Sequence, residues 1–131
     1  MSETMESFTR LERAVIEKLL AEGPTILEPL RQQAAAASVS RREATGVGFS
    51  IDIVVPPNVP RAMIEPRGHL SDVDAHMPNL SNGAGFVLFL KDGALDRLEG
   101  YTYDEPWPDR TNEFTLSYRK LPRDFSALIA S

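Results

Sequence analysis

The sequence predicts an α+β domain: an N-terminal helical hairpin packed on an antiparallel sheet of four to six strands. Three observations carry this expectation. Apolar residues before Ser38 recur at helical spacing, those after it alternate with polar ones, and Asp92-Gly93 joins two strand-like runs. Helices first and strands afterwards place the helices on one face of a sheet.

The first helix is expected over residues 8–22, where Phe8, Leu11, Val15, Ile16, Leu19 and Leu20 share a face and Arg10, Arg13, Glu17 and Lys18 meet water. Thr9 and Glu12 have capping-box spacing, and Gly23-Pro24 ends the helix. Thr25 and Glu28 repeat that spacing and open a second helix over 26–37. Pro29 is tolerated near its first turn, where a backbone N–H has no helical partner. The turn between the helices is too short for anything but a hairpin.

A strand is expected over 39–45. After a glycine turn at Gly46 and Gly48 comes another, in which Phe49, Ile51, Ile53 and Val55 alternate with Ser50, Asp52 and Val54. Residues 56–78 hold five of the ten prolines and should be mostly irregular, with 69–76 able to form a short edge strand. Residues 85–90 and 94–103 form a hairpin around Asp92-Gly93. Two registers are open. A two-residue turn pairs Leu90 with Leu95 and Val87 with Leu98; a bulged three-residue turn pairs Phe89 with Leu95 and Phe86 with Leu98. The first hairpin strand is apolar on both faces, so it should be central and covered on both sides. Gly100 leaves room for another backbone or a ring. Phe114, Leu116 and Tyr118 give a last strand, and 124–130 a short helical turn.

Composition narrows function by exclusion. The chain of 131 residues is a single domain, 42% hydrophobic and 25% charged, with no cysteine and a formal charge of −5. Disulfides, thiolate metal sites and cysteine nucleophiles are therefore ruled out. The longest apolar run, residues 83–90, is far short of the ~20 residues a bilayer span needs, and the N-terminus is acidic where a signal peptide is basic. A cytoplasmic protein with no membrane partner is expected. No nucleic-acid partner is expected either, because the basic residues form only two small clusters, Arg41-Arg42 and Arg119-Lys120 with Arg123.

The negative charge is concentrated. Residues 92–113 hold seven acids (Asp92, Asp96, Glu99, Asp104, Glu105, Asp109 and Glu113) against Arg97 and Arg110, while the rest of the chain balances twelve acids with twelve bases. The same stretch carries Tyr101, Tyr103 and the single tryptophan, Trp107. Acidic and aromatic side chains together suit a surface that meets a basic partner. A solvated hairpin whose aromatics belong to the core gives the same pattern. Trp107, held stiffly between Pro106 and Pro108, is either an exposed anchor or a seal on the core.

Candidate chemistry is sparse. His69, Asp72, Asp74 and His76 are the one constellation that resembles metal ligands, but the helical His-to-His spacing of established motifs is missing, and neither a metal nor a cofactor is expected. No Gly-x-Ser-x-Gly elbow occurs, and Thr45-Gly46-Val47-Gly48-Phe49 lacks the third glycine of a dinucleotide fingerprint. Glu99, between Leu98 and Gly100, is either a buried carboxylate with a raised pKa or a structural acceptor. No catalytic residue is assigned.

The run 85–90, the Asp92-Gly93 turn, Leu98-Glu99-Gly100-Tyr101 and Glu105-Pro106-Trp107-Pro108 together resemble a pattern in small, largely uncharacterised bacterial proteins. Some similar small acidic proteins act as immunity proteins, which neutralise a toxin by binding it. The resemblance covers roughly residues 83–108, with 45–49 as a possible second match, and no catalytic residue is carried over from it.

The expected function is thus a noncatalytic protein-binding module of the immunity type. Asp96, Asp104, Glu105 and Asp109 would meet basic groups of a protein partner, with Tyr103 and Trp107 supplying apolar contact. The alternative is a small-molecule-binding protein or enzyme with a pocket under the 56–78 loop, using Glu99, His69 or His76. A homo-oligomer joined through strand edges is a third reading.

Overall fold

A computed structural model describes residues 5–129 of the chain, an α+β fold with its two helices packed on one antiparallel sheet. Helix α1 spans Arg10–Leu20, and its capping box forms: Thr9 Oγ1 accepts from the Glu12 N–H at 3.2 Å while Glu12 Oε1 accepts from the Thr9 N–H at 2.9 Å. Its apolar face, Leu11, Val15, Ile16, Leu19 and Leu20, is fully buried. The second expected helix begins as a 3₁₀ turn, Thr25–Leu27, and becomes α-helical as α2 at Glu28–Ala36, with Pro29 in the first turn.

The end of α1 shows where much of the basic charge goes. Its last carbonyls have no helical partner and need donors. The Tyr118 hydroxyl donates to the Lys18 carbonyl at 2.8 Å, Arg31 donates to that of Leu20, and Arg123 donates to those of Leu19 and Ala21, each at 2.7 Å. Arg123 also grips Asp72 with two bonds of 2.7 and 3.0 Å, between the rings of Tyr118 and Phe125. Arg42 is ion-paired with the buried Glu12, and Arg119 with Asp74. Three arginines of the basic clusters in the sequence, Arg42, Arg119 and Arg123, are therefore already paired with acids of the same fold.

The strands are β1 Ser38–Ala44, β2 Gly48–Val54, β3 Arg67–Leu70, β4 Val73–His76, β5 Ala84–Lys91, β6 Ala94–Thr102 and β7 Thr115–Tyr118. The spatial order is β1-β2-β6-β5-β4-β7, with β3 also on β5. Strand β3 pairs with the end of β5 nearer the hairpin turn, and β4 with Ala84 and Gly85 at its start. The two act as one strand broken at Ser71 and Asp72. The sheet is thus six positions wide but contains seven strands. Residues 56–78, expected to be mostly irregular with one edge strand, supply both β3 and β4. Neither run alternates strongly enough to stand alone, and each becomes a strand because β5 offers a free ladder.

The β5–β6 hairpin adopts neither expected register throughout. Asp92 and Gly93 have φ of 51° and 80°, the two positive values that a two-residue type I′ turn requires. Leu90 pairs with Leu95, as that turn dictates, but Asp96 then bulges out and the ladder resumes with Phe89 opposite Arg97 and Leu88 opposite Leu98. In a regular strand Leu95 and Leu98, three apart, would face opposite ways. The bulge puts both in the core, where they are 2% and 0% exposed.

Strand β5 is central, but it is covered on one side only. Ala84, Phe86, Leu88 and Leu90 lie beneath the helices, whereas Val87 and Phe89 on the other side are half-buried, with no second layer over them among the described residues. The glycines take turns under aromatic rings. Gly100 lies opposite Phe49 and Phe86 on the inner face, and a Cβ there would fall 2.3 Å from the Phe49 ring. Gly85 lies opposite Tyr101 on the outer face and meets that ring in the same way, at 2.5 Å.

Candidate interaction surface

The uncovered face of the sheet is organised in cross-strand rows. One row runs Arg41, Asp52, Arg97, Phe89, His69; the next is Glu43, Ser50, Glu99, Val87; a third is Gly48, Tyr101, Gly85, Asp74, Ser117. Charges in these rows are largely matched. Arg97 lies 3.2 Å from Asp52 and 3.5 Å from Glu99, and Arg41 lies 3.6 Å from Glu43. Attraction by Asp52 raises the Arg97 pKa, and hydrogen bonding to Asp74 raises that of Arg119. Such exposed pairs contribute little each to stability, but they leave this face nearly neutral.

The residues singled out in the 92–113 stretch divide between the two ends of β6. Asp96 sits exposed on the bulge beside the hairpin turn. Tyr103, Asp104, Glu105, Trp107 and Asp109 follow the other end, seven residues and roughly 23 Å away at about 3.3 Å per residue. The tertiary structure therefore does not gather Asp96 with the rest.

At the exit from β6 each side chain has a distinct task. Tyr103 is 41% exposed, with its ring edge-on to Tyr101 at 5.6 Å between centroids. Burial pushes its hydroxyl pKa up, with further contributions from Tyr101 and Asp74. Asp104 turns the chain at φ 60° and is exposed, as is Asp109. Neither is ion-paired among the described residues.

Glu105 is instead tied inward. Its carboxylate accepts from the Ser81 N–H at 2.9 and 3.0 Å and from the Asn82 N–H at 3.2 Å. Trp107 packs edge-on against Phe49 at 5.1 Å and Phe86 at 6.5 Å, and its backbone N–H donates to the Gly46 carbonyl at 2.8 Å. Of its two readings, the seal on the core is the one its surroundings match. The Thr102 hydroxyl bonds the carbonyls of Val47, at 3.0 Å, and Glu105. Three tethers thus hold this loop.

The residues of the alternative pocket do not meet. Glu99 is not buried: its side chain is 40% exposed and pairs with Arg97. His76 is exposed on β4 opposite Thr115. His69, opposite Phe89, lines a shallow cavity of about 230 Å³ with Asp72, Arg119 and Pro122, which neither Glu99 nor His76 reaches. The proline-rich segment packs directly on the hairpin turn, with the Ala62 N–H bonded to the Gly93 carbonyl at 2.9 Å. Asp72 and Asp74 are occupied by Arg123 and Arg119, and no group of three or more His, Asp or Glu side chains positioned for a metal occurs among the described residues.

One structurally decisive residue carried no sequence signal. Gln33, fully buried on α2, donates to the carbonyls of Pro60 and Gly93 and accepts from the Leu95 N–H, all at 2.9 Å. It ties helix, proline-rich segment and hairpin turn together. No protein family, curated protein or solved structure matches the chain. No helix among the described residues is long and apolar enough to cross a membrane.

Proposed function

We propose that the protein is a noncatalytic binding module of the immunity type, which occludes a basic protein partner with the loop that follows β6. One observation carries this reading: Tyr103, Asp104 and Asp109 are exposed, and both acids lack a counter-ion among the described residues, on a loop tethered through Thr102, Glu105 and the Trp107 backbone. Most acids elsewhere on the uncovered face have an arginine already. Glu113 adds to the negative charge, and Arg110 offsets part of it. Tethering lowers the ordering cost on association, and unpaired acids steer a basic partner and set orientation. Glu105 and Trp107 take the supporting role, so the contact residues are Tyr103, Asp104 and Asp109. Asp96 lies outside this contact.

The test is retention of partners from the native cell, followed by affinity measurement on the isolated pair. A basic protein should be retained, its affinity should fall as salt rises, and Asp104→Arg with Asp109→Arg should weaken it by about 100-fold, the range of a close charge pair. A partner that binds the reversed protein with unchanged affinity sinks the proposal.

A further inference from the structure

At the hairpin end of the same face the charge has the opposite sign. Arg67 on β3 lies directly opposite Lys91 on β5, and both are exposed. Like charges directly opposite across a ladder repel, and neither is ion-paired among the described residues. Both line an open cavity of about 290 Å³, together with Arg97, Asp96 and half-buried Phe89. Two cations unpaired among the described residues, Arg67 and Lys91, and Arg97, which is already matched by Asp52 and Glu99, stand against Asp96 around an aromatic side chain on a protein whose formal charge is −5.

We propose that this corner binds a small phosphorylated molecule that carries a flat ring. The phosphate would bridge Arg67 and Lys91, taking charge-assisted hydrogen bonds and relieving their repulsion. The ring would lie on Phe89, flanked by the Arg97 guanidinium. Asp96, beside the cations, disfavours a second anionic group and so favours a monophosphate. The site shares no residue with the acidic loop, so it stands or falls independently of the proposed binding function.

Amide chemical-shift titration of the full chain tests it, with inorganic phosphate and adenosine monophosphate as probes and chloride holding ionic strength constant. Both probes should shift Gly68, Lys91 and Arg97 saturably, the nucleotide at lower concentration. Lys91→Glu turns the repulsive pair into an attractive one, so it should weaken both probes by about tenfold or more while raising the thermal midpoint. Arg67→Gln should weaken both in the same direction, and Phe89→Ala should remove only the advantage of the nucleotide. Non-saturating shifts, equal shifts with chloride, or unchanged affinity in Lys91→Glu would each overturn the site. Equal affinity for phosphate and nucleotide would overturn the stacking on Phe89.

Discussion

The two ends of β6 are built from the same materials to opposite effect. At the hairpin end, Gln33 clamps the turn from inside while Arg67 and Lys91 crowd the surface. At the exit end, half-buried Trp107 seals the core while Asp104 and Asp109 stand outside, unpaired among the described residues. Each end has an anchor that fixes the backbone, fully buried Gln33 at one and half-buried Trp107 at the other, and a surface that the anchor presents. The difference lies in the kind of anchor: hydrogen bonds at one end, aromatic packing at the other. It teaches that a near-neutral sheet face can be flanked at its two ends by charge of opposite sign.

Removing the aromatic anchor should cost most. Trp107→Ala opens a void beside Phe49 and Phe86 and should destabilise by about 3 kcal/mol, read from urea unfolding, with β6 exit amides losing hydrogen-exchange protection first. Gln33→Leu keeps the volume but strands the Leu95 N–H and the Pro60 carbonyl, and should cost about 2 kcal/mol, with the protection loss at the hairpin turn instead. Identical protection patterns in the two variants would erase the distinction between the ends.

An alkaline limb should follow from the tyrosines. Burial raises the pKa of Tyr103 and Tyr118 above the ordinary 10.0. The folded state therefore holds those protons more tightly, and the associated stability is intact below pH 10.0 and lost as pH rises through the folded values. Unfolding midpoints should fall above that pH, and Tyr103→Phe should remove only part of the fall, leaving the share of Tyr118. Smallest is the surface itself. Asp104→Asn with Asp109→Asn should change stability by no more than about 0.5 kcal/mol, so any change in partner affinity reports the interface and not the fold.

Much of the scaffold was legible in the residues. The Thr9 capping box, the Asp92-Gly93 turn and the alternation of β2 each depend on neighbours a few positions apart, and each formed as read. The β6 bulge was not legible, since Leu95 and Leu98 suit the core only once one residue is expelled from the ladder. Nor was the split of residues 56–78 into β3 and β4, which depends on β5 being available. Gln33 beside Gln32 gave no hint that one of them is buried, because its partners lie 27 to 62 positions away.

The sequence by itself determined the class of fold, the place of the hairpin and the stretch in which negative charge accumulates. All three are sums over contiguous residues, set by backbone periodicity and composition. Only the tertiary structure decided which charges are free. Asp72 and Asp74 find arginines from the segment after β7, Glu12 finds Arg42 of β1, Glu105 finds backbone donors, and Asp104 and Asp109 find no ion-pair partner among the described residues. Whether an acid is a tether or a contact depends on which donor the fold brings within reach, and that distance is not written in the order of the chain.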